Sequence, residues 1–347
     1  MTAVPQGDQI RVVLAGCGYI AQAAHIPSLL MTDGMCLAAV VDRRERLAWV
    51  IGGRLGVPAF TSLPQCLDSV QADAVIVSTG RFSHPALVTE AANRGLHVLV
   101  EKPLADTVRD ARAMTDSITG SGVVAMVGYM RRYDDDCEYV RETLRTGRLG
   151  RVHAAVSHFE LGLPPRFARF DGGITQGSGP PPIGSLRESL LEESIHHINL
   201  MRFWFGEVSQ VLFVRGDPDR GVYEMVFLSE DGVLVTHLNV ALMGHGEQVW
   251  VYGDRGNVHT RLWSPHFPYR HADTVVFHLD SGTGREERPL IPRMSPYLNL
   301  MTHFRDAIRD GVTVKTPVED AVRDLEAIEE VVLVAGDMGA AGGSEGG

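Results

Sequence analysis

Cysteine is scarce in this sequence, and basic clusters are missing. The 347 residues include four cysteines, at positions 17, 36, 66 and 137, and no two of them have CxxC spacing. This usage favours reduced thiols in a cytosolic protein over a disulfide framework or a zinc site. No cluster of five or more Lys and Arg residues occurs, and 43 Asp and Glu residues outnumber 32 Lys and Arg residues. The resulting formal charge of −11 argues against a nucleic-acid partner.

Long apolar runs are also lacking. No segment approaches the roughly 18 apolar residues that a membrane-spanning helix requires, and residues 1–9 are short and polar. We therefore expect a cytoplasmic protein without a membrane partner. A hydrophobic content of 44% and a mean hydropathy near zero allow a sizeable core, and the length suits about two domains.

A glycine-rich turn lies between the first predicted strand and the first predicted helix. Apolar residues 11–15 lead into GCGYIA at 16–21, and apolar residues then recur at helical spacing. In this pattern Gly16 permits the tight turn and Gly18 lets a pyrophosphate approach the backbone. The free N–H groups at the helix start favour phosphate charge. The turn predicts a dinucleotide site that includes Gly16, Gly18, Tyr19 and Ile20.

A carboxylate stands at the end of the second predicted strand. Residues 37–41 are apolar and end at Asp42, about 20 residues beyond the glycines, where a carboxylate accepts hydrogen bonds from ribose hydroxyls. This favours NAD. Arg43 and Arg44 leave NADP open, because a guanidinium there can hold a 2′-phosphate. We assign Arg43 to the cofactor site, and the alternative to a phosphate contact is that it stacks on adenine or faces solvent.

The next strand–helix unit adds further cofactor candidates. Residues 73–77 form a strand that leads into Ser78 and Thr79, and a helix follows over 85–94. We assign Ser78 and Thr79 to the cofactor site. His84 is assigned to it as well, although a structural role at the start of the helix is the alternative.

The following strand, residues 96–100, stops at Glu101-Lys102-Pro103. Open parallel sheets bind ligands at the carboxyl ends of their strands, so the sequence places Glu101 and Lys102 beside the cofactor. Most charged residues at strand ends are solvated surface groups, and the tripeptide alone does not establish catalysis.

The two halves of the chain differ in pattern. Strands alternate with helices through residue 127, which predicts an α/β domain with a doubly wound parallel sheet, the Rossmann arrangement, over residues 1–127. Alternating strands at 152–159, 208–214, 223–228, 233–242 and 248–252 predict an open, mostly antiparallel sheet in a C-terminal α+β domain, residues 128–338. The Gly- and Pro-rich residues 161–184 predict a long binding loop. Residues 339–347 predict a flexible tail.

One helix of the second domain carries a possible proton-transfer pair. Ser185 and Glu188 form a capping pattern and Gly206 is a stop signal, so a helix is predicted over 186–205. At 100° per residue, Glu188, Glu192, His196 and Asn199 share a polar face, whereas His197 points to the apolar face. Glu192 lies one turn before His196 and can orient its imidazole. The alternative is a solvated face with an incidental pair.

Taken together, these motifs resemble the glucose-fructose oxidoreductase, inositol dehydrogenase and MocA family. The resemblance extends over about residues 11–336, and the matching segments are 16–21, 77–79 with His84, 95–105, 127–133, 190–199 and 206–208. It implies a Rossmann domain, then a domain whose open sheet builds homodimers or homotetramers. It also implies catalytic roles for Lys102 and His196, with Glu192 in place of the family's usual aspartate. Arg131, rather than Arg132, is implied to face substrate, together with Asn199.

The predicted function is hydride transfer between a secondary alcohol of a sugar, aminosugar or cyclitol and NAD, with NADP possible. His196 takes the hydroxyl proton, Glu192 orients it, and Lys102 stabilises charge on oxygen and holds the nicotinamide end. The predicted site contains no metal. The alternatives are an NADPH-dependent ketosugar reductase, a hydrolase that uses transient oxidation, and a non-catalytic nucleotide-sensing regulator.

Overall fold

The computed structural model describes residues 9–161, 185–217, 221–240, 245–262, 273–280, 283–292 and 294–342. Residues 162–184 of the predicted loop and 343–347 of the predicted tail lie outside this set. Contacts divide the described chain into two units. The first comprises residues 9–130 and 297–322, and the second comprises the remaining described residues.

Strands and helices follow one another in both units. The strands are β1 (Ile10–Ala15), β2 (Met35–Val41), β3 (Ala59–Phe60), β4 (Ala74–Val77), β5 (His97–Val100), β6 (Ala125–Val127), β7 (Val152–Leu161), β8 (Val208–Asp217), β9 (Val222–Ser229), β10 (Leu234–Val240), β11 (His245–Gly253), β12 (Gly256–Leu262), β13 (Asp273–Asp280) and β14 (Thr283–Glu287). The α-helices are α1 (Ile26–Met31), α2 (Glu45–Leu55), α3 (Leu63–Ser69), α4 (His84–Asn93), α5 (Val108–Thr119), α6 (Asp135–Arg145), α7 (Leu186–Ser189), α8 (Ile195–Phe205), α9 (Pro296–Asp310) and α10 (Val318–Gly342). Two π-helical turns, Ala21–His25 and Leu190–Ser194, precede α1 and α8, and short 3₁₀ turns lie at Arg81–Ser83 and Met130–Tyr133.

The first unit is built on a six-stranded parallel sheet in the order β3-β2-β1-β4-β5-β6. The order reverses between β1 and β4, which is the switch point where dinucleotides bind in doubly wound sheets. Strands β4 and β5 are almost wholly apolar and buried, as expected for strands covered on both faces. The predicted parallel sheet is confirmed.

The first unit is not continuous in sequence, which differs from the predicted boundary at residue 127. Strand β6 is the edge of the sheet, and the backbone N–H of Val127 donates to the carbonyl of Thr316 at 2.9 Å. Met126 also forms an antiparallel bridge with Pro317. An edge strand has unpaired backbone groups, and a returning segment satisfies them. Residues 297–322 therefore belong with the first unit.

The second unit contains an eight-stranded sheet in the order β14-β13-β12-β11-β7-β10-β9-β8. Strands β7 and β10 are parallel neighbours, and the other pairs are antiparallel. This confirms the mostly antiparallel sheet. Strands β12, β13 and β14 were not predicted. For β12 and β14 the reason is that they contain too few apolar residues to stand out from a loop.

The side chains of this sheet alternate between a buried face and a half-exposed face. In β9, for example, Tyr223, Met225 and Phe227 are buried, whereas Val222, Val226 and Leu228 are half-exposed. We call the second set, with its neighbours on adjacent strands, the outer face.

The predicted helix over 186–205 is helical throughout but is not one regular α-helix. It consists of α7, the π-helical turn Leu190–Ser194 and α8, and it ends at Gly206 as predicted. The Ser185 hydroxyl accepts the backbone N–H of Glu188 at 3.2 Å, which confirms the predicted cap. No helix among the described residues combines the length and apolar content needed to cross a membrane.

Candidate active site

The glycine turn at the end of β1 has the shape that a phosphate group requires. Gly16 has a φ of 99°, and a Cβ there would collide with the backbone of Ser78, so only glycine fits. A Cβ at Gly18 would meet no atom within 4 Å, so its backbone borders open space. Tyr19 and Ile20 then lead into the π-helical turn at Ala21–His25, and both are half-exposed. The turn can therefore accept a pyrophosphate against its backbone.

Asp42, at the end of β2, is buried and heavily hydrogen-bonded. Its carboxylate accepts the backbone N–H groups of Cys17 and Arg44, both at 2.9 Å. The Arg44 guanidinium donates to both of its oxygens at 3.0 Å, while Arg43 is exposed. Burial alone would raise the pKa of Asp42, but these hydrogen bonds hold that pKa below its ordinary value. The arginine that meets this carboxylate is thus Arg44, and the predicted contact of Arg43 with the cofactor remains a prediction.

His84 fastens two loops of the first unit. Its Nε2 lies 3.0 Å from the carbonyl oxygen of Thr79, and its Nδ1 lies 3.0 Å from that of Pro103. The ring is fully buried, and burial lowers the pKa of His84. These contacts tie the turn after β4, with Ser78 and Thr79, to the segment after β5. They support the structural alternative for His84, and direct contact with a cofactor remains a prediction.

Glu101 and Lys102 follow β5, where Glu101 is buried against a histidine that sequence reasoning missed. His25 Nε2 lies 2.7 Å from Glu101 Oε1, and Glu101 Oε2 accepts the backbone N–H of Lys102 at 3.2 Å. Burial tends to raise the pKa of Glu101, but His25 and Lys102 lower it below its ordinary value. Lys102 is half-buried, and its peptide bond to Pro103 is cis. The carboxylate therefore fixes the backbone from which the Lys102 side chain projects.

In the second unit, Glu192 lies within the π-helical turn and His196 lies one residue into α8. Both side chains are half-exposed, whereas Glu193, Ser194 and His197 are buried. The prediction that His197 belongs to the core and His196 does not is therefore confirmed. The assigned roles of Glu192 and His196 in proton transfer remain predictions.

Asn199, predicted on the polar face, is buried among polar partners rather than solvated. The residue is 1% exposed; its Oδ1 accepts from Arg132 Nε at 2.7 Å and its Nδ2 donates to Asp324 at 2.8 Å. Its amide is buried because both ends have charged partners. Asp324 also meets Arg202 at 2.5 Å, so Asn199 belongs to a buried charge network. Substrate contact by Asn199 remains a prediction.

Arg131 is buried in the second unit and forms two ion pairs. Its guanidinium donates to both carboxylate oxygens of Glu247, one at 2.9 Å, and to Asp134 at 2.9 Å. A bidentate pair of this kind is strongly directional. Burial alone would raise the pKa of Glu247, but Arg131 and His197 lower that pKa to about 2. These bonds give Arg131 a structural role, and its contact with substrate remains a prediction.

No three His, Cys, Asp or Glu side chains within the described parts of the chain are grouped so as to hold a metal ion. The site residues described above are instead hydrogen-bond donors and acceptors, together with a glycine turn that can accept a phosphate.

The doubly wound sheet, its glycine turn and the acidic strand end define a dinucleotide-binding protein. Residues 10–129 match the model of the GFO_IDH_MocA oxidoreductase family, whose Rossmann fold binds NAD. This match over residues 10–129 confirms the family resemblance that the motifs predicted.

Similar proteins extend the match beyond the first unit. A myo-inositol 2-dehydrogenase of Thermotoga maritima is 25% identical over 265 residues, which cover 72% of this chain and 74% of the relative. A scyllo-inositol 2-dehydrogenase (NAD(+)) of Bacillus subtilis is 24% identical over 341 residues, covering 92% and 90%. A 3-ketoreductase from Actinomadura kijaniata, solved with TDP-benzene and NADP, shares the fold at a TM-score of 0.76 and 20% identity, with 93% of this chain and 97% of that chain covered.

Proposed function

We propose that this protein is an NAD(P)-dependent dehydrogenase that oxidises a secondary alcohol of a sugar, aminosugar or cyclitol. The observation that carries the proposal is the ligand-binding edge of the first sheet, where the glycine turn, Asp42 and the Glu101–Lys102 segment each follow a parallel strand. The two inositol dehydrogenases among its relatives support the substrate class.

The residues at this edge fit a dinucleotide. Gly16 permits the tight turn, Gly18 leaves open space that a side chain would fill, and the buried Asp42 can accept hydrogen bonds from a ribose. Tyr19, Ile20, Ser78 and Thr79 lie on the turns around it. NAD(P) would supply the hydride acceptor of the reaction.

Three side chains handle the proton and the charge in the proposed reaction. His196 accepts the proton of the substrate hydroxyl, and Glu192 orients its imidazole. Lys102 stabilises the negative charge that develops on the oxygen as the carbon–hydrogen bond breaks. The half-exposed positions of all three, next to fully buried neighbours, support this assignment because a reacting group must be reachable and held.

We propose NAD as the preferred cofactor. The carboxylate of Asp42 would repel a 2′-phosphate, and it suits the two free hydroxyls of the NAD ribose. NADP is the second candidate, because Arg44 already neutralises Asp42 and its guanidinium is 49% exposed. Arg44 could therefore turn toward a phosphate.

A ketosugar reductase that works in the opposite direction is a second candidate function. The fold shared with the 3-ketoreductase supports it. A nucleotide-sensing regulator is the third candidate, and it differs by binding cofactor without turnover.

Self-association through the outer face belongs to the proposal. Leu234, Tyr252 and Leu279 of this face are between 42% and 51% exposed, and Trp250 stacks on His259 with ring centroids 4.5 Å apart. A broad apolar sheet face of this kind favours a homodimer or homotetramer. We also propose a cytoplasmic location, because all four cysteines are free thiols.

The test is a spectrophotometric screen at 340 nm of NAD and NADP reduction against inositols, hexoses and aminosugars, with the reverse assay on the matching ketones. The proposal expects NAD reduction with at least one polyol. Cofactor binding by fluorescence without turnover in either direction would favour the regulator instead.

A further inference from the structure

A buried polar cluster lies between the helical segment at 186–205 and the second sheet, where a helix usually packs with apolar side chains. The helical segment contributes Ser189, Glu193, Ser194 and His197, and the strands contribute Ser157, Tyr223, His237, Asn239 and Glu247. Each of these nine side chains is at most 8% exposed. Buried polar groups are costly unless paired, so their bonds are specific constraints on the structure.

Tyr223 bonds to both ends of the π-helical turn. Its hydroxyl lies 3.1 Å from the Ser189 hydroxyl and 2.7 Å from the Ser194 hydroxyl. In a regular α-helix, residues five apart point about 140° away from each other and could not share one partner. In a π turn, the backbone bond spans five residues, and here the N–H of Ile195 donates to the carbonyl of Leu190. The contact of Tyr223 with both serines therefore requires the π turn.

Further bonds anchor the same turn from both sides. Ser194 Oγ lies 2.7 Å from His237 Nε2, and His237 Nδ1 lies 3.1 Å from Ser157 Oγ. Glu193 accepts the hydroxyl of Ser189 at 3.1 Å and the amide of Asn239 at 3.2 Å. Burial lowers the pKa of His237 well below its ordinary value, so this histidine is neutral and can accept as well as donate.

The cluster is not itself a hydrolytic site, although three of its members have a familiar order. Ser157 Oγ lies 2.5 Å from His197 Nδ1, and His197 Nε2 lies 3.3 Å from Glu247. A serine, a histidine and a carboxylate in this order can activate a nucleophile. Ser157 is fully buried, however, and its hydroxyl also meets His237, so no substrate can reach it.

We propose that Tyr223 is a positioning residue that holds the π turn and thereby sets the directions of Glu192 and His196. The inference rests on the proposed function, in which those two residues handle the substrate proton. Loss of the π turn would remove one residue from that turn and rotate the segments on its two sides by about 100° relative to each other. Glu192 lies inside the turn and His196 lies beyond it, so their mutual orientation depends on it directly.

Tyr223→Phe removes the hydroxyl and keeps the ring, and Tyr139→Phe is the matched control. Tyr139 belongs to the same unit and bonds through its hydroxyl to Glu287 and Arg148, away from the π turn. We expect Tyr223→Phe to lower kcat about 10²-fold, because a misplacement of about 1 Å costs this much. The KM for the cofactor, whose predicted contacts are in the first unit, should stay at the wild-type value. Tyr139→Phe should change neither constant.

A second readout does not depend on turnover. The imidazole titration of His196, followed by NMR, should shift by about half a pH unit or more in Tyr223→Phe, because the orientation of the Glu192 carboxylate relative to the imidazole changes. Ser189→Ala, which removes one of the two serine contacts, should give a smaller shift in the same direction. If Tyr223→Phe does not fold, Ser189→Ala tests the same inference by the same titration.

The outcomes separate the two ideas. Without turnover by the wild-type protein on any polyol or ketone, the proposed function fails, and the His196 titration still decides whether Tyr223 positions it. Unchanged titration in Tyr223→Phe and Ser189→Ala overturns the inference. An equal loss of kcat in Tyr139→Phe also overturns it, because the effect is then general.

Discussion

His25 Nε2 lies 2.7 Å from Glu101 Oε1, and both side chains are buried in the first unit. His25 ends the π-helical turn that follows the glycine turn, and Glu101 begins the segment that carries Lys102. The pair therefore links the phosphate-compatible turn to the proposed catalytic lysine.

We expect His25→Ala to lower the free energy of unfolding by about 3 kcal/mol, because it leaves Oε1 of the buried Glu101 carboxylate without its partner. Denaturant unfolding measures this change. His153→Ala is the control: His153 also meets a carboxylate, that of Asp254 at 2.5 Å, but both side chains are more than half exposed. Exposed pairs contribute little, so the control should unfold like the wild type. Equal losses in the two variants would show that burial is not what makes the His25 pair important.

Substitution of the proposed general base or of the proposed charge-stabilising lysine should abolish turnover without unfolding the protein. We expect Lys102→Ala and His196→Ala each to lower kcat by a factor of about 10² to 10⁴. Circular dichroism and the Tm should remain at wild-type values, since both side chains are half-exposed. Lys315→Ala, in the same unit as Lys102, provides the control for loss of a positive charge. Near-normal turnover in both variants would remove the mechanism.

Cofactor choice should depend on Asp42. We expect Asp42→Ala to raise the KM for NAD about 10-fold or more, because hydrogen bonds to a carboxylate are among the stronger ones. The KM for NADP should change less or fall. Arg44→Ala should weaken the binding of NADP but not of NAD. Arg43 is exposed and does not meet Asp42, so Arg43→Ala should change the binding of either cofactor less than Arg44→Ala does. A larger effect of Arg43 than of Arg44 would contradict the geometry described above.

The two glycines of the turn should differ in what they tolerate. Gly16→Ala should disrupt the fold, because it places a Cβ against the backbone of Ser78 at a φ of 99°. Gly18→Ala should fold normally, since nothing lies within 4 Å of its Cβ, but it should weaken cofactor binding. The Tm and cofactor titration by fluorescence separate the two effects. Unchanged cofactor affinity in Gly18→Ala would place the phosphates elsewhere.

Stability should fall in acid through Glu247. Its pKa in the folded protein is about 2, below the ordinary value of about 4.3. A lowered pKa stabilises the fold above the unfolded value, and that contribution is lost as the pH falls from about 4.3 toward about 2. Glu247→Gln should therefore lose less stability than the wild type across this window, as measured by unfolding at each pH. Glu224→Gln, on the outer face, should follow the wild-type curve.

Much of the fold could be predicted because its signals are local. The GCGYIA turn, Asp42 and the Glu101–Lys102 segment each follow a short apolar run, and all three lie at the ends of parallel strands as predicted. The cap at Ser185 and the stop at Gly206 were predicted for the same reason.

Long-range pairing accounts for what the sequence did not reveal. His25 was assigned no role from the sequence, because its partner Glu101 is 76 residues away. Likewise, the burial of Asn199 could not be foreseen from helical periodicity, because its partners Arg132 and Asp324 are distant in sequence. The π turn escaped prediction because its hydroxyl partner, Tyr223, lies on another element.

The return of residues 297–322 to the first sheet has a practical consequence for dissecting this protein. A fragment truncated after residue 130 would leave the Val127 amide of β6 facing solvent, with an open edge available for aggregation. An autonomous cofactor-binding fragment therefore needs a spliced design, in which a linker joins residue 130 to residue 297 and the middle of the chain is excised as an insertion.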